Sequence, residues 1–159
     1  MSFGKENEMK NKIYIAYGSN LNLWQMRWRC PGAKKIGSGY LKGWRLAFKG
    51  SKTGSYLTIL KDPKGRVPVG LFEVGDKDEA ALDRYEGFPT FYQKKRQSVE
   101  TEKGKINGFV YTMREDATYG IPTNRYMAIC MEGYGDFGFE EEYLWDAYQE
   151  SREMCDERR

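Results

Sequence analysis

The sequence predicts an α+β fold dominated by β-sheet, and three observations predict it. Short runs of β-branched and aromatic residues recur through the first two thirds of the chain, each closed by Gly, Pro or Asp. Apolar stripes at helical spacing are confined to four short segments. The 159 residues are 40% hydrophobic and 15% aromatic, enough apolar material for one core and more than a disordered chain carries. One domain over residues 1–159 is expected, opened by a polar extension, residues 1–11.

Each element has its own reason. Ile13 to Ala16 is a β-branched and aromatic run that stops at Gly18, Ser19 and Asn20, which predicts a strand feeding a tight turn. Leu21 to Arg29 places Leu21, Trp24, Met26 and Trp28 among polar residues before Pro31 and Gly32, a short helix with its stop. Between Ile36 and Val74, the segments Gly39 to Leu41, Trp44 to Phe48, Tyr56 to Leu60 and Val69 to Val74 read as short antiparallel strands, with Asp62 to Gly65 among the breaks. Asp76 with Glu79 has the spacing of a capping box, and Ala80, Ala81, Leu82 and Tyr85 continue a helix over Lys77 to Tyr85 that Gly87 ends. Tyr92 to Glu100 and Ile106 to Met113 form a hairpin through Lys103 and Gly104. Pro122 and a Thr123 cap introduce a helix through Met131, and Phe139 to Glu153 is another, with Tyr143, Leu144, Ala147 and Tyr148 on one stripe. The closing DERR reads as a solvated tail. Trp24, Trp28, Trp44 and Trp145 are expected in the core.

Composition excludes whole classes of chemistry. The chain has no histidine, so Ser-His-Asp and Cys-His catalysis, histidine zinc sites and imidazole proton shuttles are closed to it. Proton transfer then falls to Glu, Asp, Lys, Tyr or Cys. Cys30, Cys130 and Cys155 are odd in number and widely spaced, which suits buried reduced thiols and no metal site. The 26 basic residues nearly balance the 23 acidic ones, leaving a net charge of +3, too mixed for a nucleic-acid partner. No run reaches the roughly 18 apolar residues of a membrane span, and the opening residues lack the apolar stretch of a signal peptide, so a cytoplasmic protein without a membrane partner is expected. No P-loop or dinucleotide fingerprint is present, and no cofactor is expected. Lys94, Lys95 and Arg96 read as a solvated or edge face.

Two places could carry chemistry. The turn Tyr17, Gly18, Ser19, Asn20, Leu21 lies between a strand end and a helix start, where backbone N–H groups lack partners and glycine admits a ligand to the backbone. The same residues also fit an ordinary turn in which Ser19 or Asn20 only caps. Ser19 is not expected to be a nucleophile, having neither a GxSxG context nor a histidine to activate it. Glu86 stands at a predicted helix C-terminus beside Tyr85, Phe88, Phe91 and Tyr92. If buried there, its carboxyl would be held toward neutrality and could take and return a proton. The alternative is a solvated glutamate at a helix end.

Together these places resemble a known family. IYIAYGSNL, then RCP at Arg29 to Pro31, GLFEV at Gly70 to Val74, LDRYEGFPTFY around Glu86 and the late PTNRYMAICMEGYGDFGFEEEY are similar to the gamma-glutamylcyclotransferase family, also called AIG2-like or BtrG-like. The likeness runs in order from Ile13 to Tyr148. YGSNL alone is moderately specific; followed by an EG-x₄-Y segment and a PxxxY helix it is strong. The resemblance implies a small mixed β-barrel with flanking helices and a cavity at one barrel end. It implies that the turn at Tyr17 to Leu21 holds a gamma-glutamyl group, that Glu86 is the catalytic acid-base and that Tyr126 lines the same pocket. It further implies an amide-cleaving cyclotransferase of the lyase class, acting on a small gamma-glutamyl substrate and releasing 5-oxoproline, with no cofactor or metal. This sequence departs from the family at Leu57, where an alanine is usual, and in about eight extra polar residues before the first strand. A protein that binds or senses a glutamyl-like ligand without turnover is the competing expectation. The sequence leaves the oligomeric state open.

Overall fold

Five strands close into a barrel in the computed structural model, which describes residues 11–156; all but the last residue of the expected extension, 1–11, and the end of the DERR tail lie outside them. The strands are β1 (Lys12–Ala16), β2 (Lys34–Lys49), β3 (Tyr56–Val74), β4 (Tyr92–Thr101) and β5 (Gly104–Met113), in the barrel order β1-β3-β2-β4-β5. The helices are α1 (Leu23–Arg29), α2 (Asp76–Glu86), α3 (Asn124–Phe137) and α4 (Glu142–Asp156), and a 3-10 turn, Ser19–Leu21, precedes α1. β1 lies antiparallel to β3 but parallel to β5, with Tyr14 opposite Phe109. That single parallel seam makes the barrel mixed, as the family resemblance implied.

The middle of the chain differs from expectation. Instead of four short strands, β2 and β3 are 16 and 19 residues long and pair along their lengths. The register jumps between Lys42 and Trp44, opposite the four residues Asp62 to Gly65, so the expected break is a bulge inside a continuous strand. Gly43 takes φ +86 there, a conformation open to glycine, and a bulge of this kind bends a long strand around a barrel. Asp62 and Gly65 are turn formers read correctly in their local chemistry, but the ladder resumes beyond them.

The β4–β5 hairpin forms as expected, from Tyr92 opposite Met113 to Thr101 opposite Gly104. Thr123 caps α3 by accepting the Tyr126 N–H at 3.1 Å, but the helix runs on past Met131 to Phe137, where Gly138 closes it at φ +71. α4 buries Leu144, Ala147 and Ser151, and Arg45 of β2 grips Glu150 through two nitrogens at 3.0 and 2.8 Å. The expected capping box of α2 does not form: its N-cap is Gly75 without a side-chain bond, and Glu79 instead accepts Lys12 at 3.0 Å and Lys94 at 2.7 Å. Lys94 also meets Asp83 at 2.9 Å, so it is a half-buried anchor for α2 rather than part of a solvated face; Lys95 and Arg96 are exposed as expected. Of the tryptophans only Trp44 is buried, while Trp24, Trp28 and Trp145 are 59%, 69% and 44% exposed. Cys30 and Cys130 are buried free thiols and Cys155 is half-buried. Burial pushes both Cys30 and Cys130 up to about 12, so both stay protonated at neutral pH. Among the described residues no helix is long and apolar enough to cross a membrane.

Candidate active site

Three elements converge on one mouth of the barrel. β1 ends at Ala16 and runs straight into the turn, whose Ser19, Asn20 and Leu21 are all buried. Asn22 then starts α1 by accepting the Gln25 N–H at 3.1 Å, and its amide donates to the Ile129 carbonyl at 3.0 Å, which ties the turn to α3. A Cβ on Gly133 would sit 2.6 Å from the Asn22 nitrogen, so α3 approaches the turn as closely as it does only because that residue is glycine. α2 reaches the same mouth from the other side. Leu82 anchors it in the core, Asp83 accepts the Tyr111 hydroxyl at 2.6 Å, and Gly87 ends it at φ +66, leaving Glu86 as its last residue.

At this mouth lies a cavity of about 370 Å³, lined by Tyr17, Gly18, Ser19 and Asn20 of the turn and by Arg84 to Gly87 at the end of α2. Its floor and sides are tyrosines from the barrel and α3: Tyr14, Tyr92, Tyr111 and Tyr126. Their hydroxyls are committed to the frame. Tyr17 donates to the Tyr111 carbonyl at 2.6 Å and Tyr92 to the Leu57 carbonyl at 2.7 Å, while Tyr126 accepts the Leu57 N–H at 3.1 Å. Desolvation by burial raises Tyr14, Tyr17, Tyr92 and Tyr126 well above the usual phenol range, so these rings stay neutral.

Glu86 is the acid in this setting. Its carboxyl accepts the Asn20 amide at 3.2 Å, and the same amide donates to the Tyr14 hydroxyl at 2.8 Å. Burial pushes the carboxyl up to about 7, and the Arg29 guanidinium works in the opposite direction. The barrel tyrosines Tyr14, Tyr92 and Tyr111 line the cavity with it. Phe88 and Phe91, two of the aromatic neighbours in sequence, are 37% and 40% exposed.

The sequence-predicted residues are thus mostly in one place. Tyr17, Gly18, Ser19, Asn20, Glu86 and Tyr126 all border the cavity. Leu21 is the exception: its side chain is fully buried and its N–H is donated to the Gly18 carbonyl at 3.0 Å. The next amide, that of Asn22, bonds the Ser19 carbonyl, so the amides open to a ligand are those before Leu21. Leu57, the departure from the family pattern, closes the floor: a Cβ on Gly18 would lie 3.3 Å from its Cδ1 and 3.4 Å from the Tyr126 hydroxyl. Sequence reasoning missed Tyr14, Tyr111 and Arg29, and named Tyr92 only as a sequence neighbour of Glu86. The alternation of Phe109, Tyr111 and Met113 marked a strand, but not which face would meet Glu86. Among the described residues no cluster of Cys, Asp and Glu side chains is placed to hold a metal ion.

Comparison with known proteins agrees with this architecture. The family model described as gamma-glutamyl cyclotransferase, AIG2-like, matches residues 14–128. No curated protein matches the chain by sequence. Among solved structures, one described as a gamma-glutamyl cyclotransferase superposes with a TM-score of 0.76 at 24% identity, over 86% of each chain. An uncharacterized protein from Homo sapiens superposes with a TM-score of 0.76 at 26% identity, over 87% of this chain and 86% of that one. YkqA from Bacillus subtilis superposes with a TM-score of 0.74 at 18% identity, over 94% of this chain and 59% of that one. The 115-residue span from Tyr14 to Ala128 holds the turn, Glu86 and Tyr126, and on that match the chain belongs to the AIG2-like gamma-glutamyl cyclotransferase family.

Proposed function

We propose that this protein is an enzyme that cleaves a gamma-glutamyl amide by attack of the substrate's own α-amine on its γ-carbonyl, releasing 5-oxoproline and a free amine. The observation that carries the reading is the placement of Glu86: a carboxyl whose burial pushes it up to about 7, lining the same cavity as Gly18, Ser19 and Asn20 of the turn. In this reading the turn binds the glutamyl unit, with Tyr17 and Tyr126 packing against it. Ionised Glu86 takes a proton from the α-ammonium, and the freed amine attacks the γ-carbonyl carbon. A C–N bond closes the five-membered ring and the carbonyl electrons move to oxygen. The amides of Gly18, Ser19 and Asn20 are available to that oxyanion, each well-placed donor being worth about 3 kcal/mol. As the oxyanion collapses, the original amide C–N bond breaks. Two protons in all pass from the attacking to the leaving nitrogen by way of the Glu86 carboxyl, which ends ionised as it began.

The magnitudes suit a site with one working carboxylate. Nucleophile and electrophile belong to one molecule, and folding that molecule correctly exploits effective molarities of about 10⁵ M or more. Proton transfer by a positioned acid-base adds about 10²- to 10⁴-fold. Neither term calls for a protein nucleophile.

Glu86→Gln tests the reading, because the amide keeps the shape and loses the proton chemistry. Incubated with a panel of gamma-glutamyl amides, the parent protein is expected to release 5-oxoproline, detected by mass spectrometry, and Glu86→Gln to fall at least about 100-fold. Equal release by both would remove Glu86 from the mechanism.

A further inference from the structure

Arg29 does not border the cavity, yet it is fixed with more contacts than a residue at a helix end needs. It is the last residue of α1, and its guanidinium lies 3.4 Å from the centre of the Tyr85 ring. One terminal nitrogen donates to the Gln25 side-chain oxygen at 3.1 Å, and the other donates to the side-chain oxygen of Asn20. Tyr85 in turn is hydrogen-bonded to Ser19 through their hydroxyls at 3.3 Å. One planar cation therefore joins α1, the turn and the end of α2.

The contact with Asn20 decides which way the Asn20 carboxamide faces. Guanidinium carries only donors, so the atom of Asn20 that meets it must be the oxygen. The NH₂ group then has to point the other way, toward Glu86 at 3.2 Å and Tyr14 at 2.8 Å. A carboxamide turned over would set its oxygen against the Glu86 carboxylate, acceptor against acceptor, and would favour the protonated acid. Tyr14, whose own oxygen can donate or accept, cannot choose between the two orientations. Arg29 can.

We propose that Arg29 is a positioning residue for the cyclotransferase reaction: by holding the Asn20 oxygen it turns the Asn20 amide protons onto Glu86 and keeps that carboxylate in its base form. This role rests on the cyclotransferase reading, but it can be tested apart from it. The other titratable groups around the carboxyl are tyrosines: Tyr14 from β1, Tyr17 from the turn, Tyr92 from β4, Tyr111 from β5 and Tyr126 from α3. All are raised by burial above the usual phenol range and stay uncharged between pH 5 and 9. Arg84 and Tyr85 stand on α2 itself at the cavity wall. Arg29 is the cation that acts on Glu86.

The experiment compares Arg29→Gln with the parent in two readouts, and repeats the first in an Asn20→Ala background. The first needs no substrate: the Glu86 carboxyl is titrated by carbon-detected NMR. Parent Glu86 should titrate near 7, and Arg29→Gln should move its midpoint up by about one pH unit. The second is the pH profile of kcat/KM on a turned-over gamma-glutamyl amide. Its acid limb should shift by the same amount, so that activity falls about fivefold at pH 7 and recovers by pH 9. Asn20→Ala removes the carboxamide through which Arg29 is held to act, so in that background Arg29→Gln should move the midpoint by less than half as much as it does in the parent. An unmoved carboxyl in Arg29→Gln overturns the proposal, as does an equal shift with and without the Asn20 side chain, which would leave charge alone as the cause. A uniform loss of activity at every pH with the NMR midpoint unchanged also overturns it, marking a structural role. If the parent turns over no gamma-glutamyl amide, the cyclotransferase reading fails while the NMR arm still decides the orienting role. If Arg29→Gln does not fold, Arg29→Met, which keeps the apolar stem over the Tyr85 ring, carries both readouts.

Discussion

At Glu86, burial and the Arg29 charge pull in opposite directions, and the balance has a thermodynamic signature. In the unfolded chain this carboxyl titrates near the ordinary value of 4.5, and in the folded protein near 7 because burial disfavours its charge. Between those values the native state binds more protons than the unfolded one, so the sign follows: stability is greatest below about pH 4.5 and is lost as pH rises through 7. The difference should amount to about 2 kcal/mol after allowance for the open mouth of the cavity. Glu86→Gln removes the titration while keeping an oxygen that can accept from Asn20. Chemical denaturation of the two proteins at pH 4.5 and pH 8 should therefore show Glu86→Gln gaining about 2 kcal/mol on the parent across that interval. Any constant cost of the substitution cancels in this comparison. A gap between the two proteins that is the same at both pH values would place Glu86 in a water-like environment. Glu86 was legible in the sequence because a carboxylate at a helix end amid aromatics is an unusual setting. Of the tyrosines that line the cavity with it, Tyr92 was legible as a sequence neighbour and Tyr126 through the family resemblance, but Tyr14 and Tyr111 come from β1 and β5, and no local pattern joins those strands to α2.

At the scale of elements, the turn does its work by what it leaves open. Ser19, Asn20 and Leu21 wind into a single 3-10 turn, Asn22 begins α1, and α3 fits against both through Gly133. The sequence marked this junction as a tight turn by Gly18, Ser19 and Asn20 but began the helix at Leu21; in the structure Leu21 belongs to the turn, which spends its amide internally, and the helix begins at Leu23. Tryptophans mark the limit of pattern reading at this scale. Trp24 and Trp28 alternate with polar residues on α1 as core residues do, yet both project outward and pack edge-on against each other at 5.9 Å. Seven residues give too few turns for spacing to decide which face is buried. Gly18 tests the turn as a binding element. A valine there would press its branches on Leu57 and the Tyr126 hydroxyl, already 3.3 and 3.4 Å from a bare Cβ, and would stand between ligand and backbone. Gly18→Val should weaken gamma-glutamyl ligand binding at least about tenfold in calorimetric titration, equivalent to about 1.4 kcal/mol, while the protein stays folded. Unaltered affinity in a folded variant would take the turn out of the site.

Taken as a whole, the molecule is a closed barrel whose closure depends on close backbone approaches as much as on apolar burial. The fold class was legible because strand runs and helical stripes are local signals; closure was not, because the seams join segments far apart in sequence. β1 meets β5 across Tyr14 and Phe109, and β2 meets β4 across Tyr40 and Glu100. Nor could local signals show that β2 and β3 continue through their bulge, since Asp62 to Gly65 carry the chemistry of a true chain reversal. Gly39 stands at the β2–β4 seam. A Cβ there would lie 2.4 Å from the Glu100 carbonyl oxygen and 2.6 Å from Val99 Cγ1, and the first of these is backbone that no rotamer change can move. Gly39→Ala must therefore push β2 away from β4, and overpacking of this kind costs about 1–3 kcal/mol. Gly37, two residues earlier, has nothing within 4 Å of its Cβ position, but its φ of +158 sits at the edge of the glycine region; Gly135 on α3 is open and helical. Gly135→Ala is thus the control, expected to stabilise by up to about 1 kcal/mol through helix propensity. Urea denaturation should separate the two by about 1–4 kcal/mol, with Gly39→Ala the less stable. Equal midpoints would mean that the β2–β4 seam is loose enough to absorb a methyl group, and the barrel would then be closed by its core rather than by the fit of its strands.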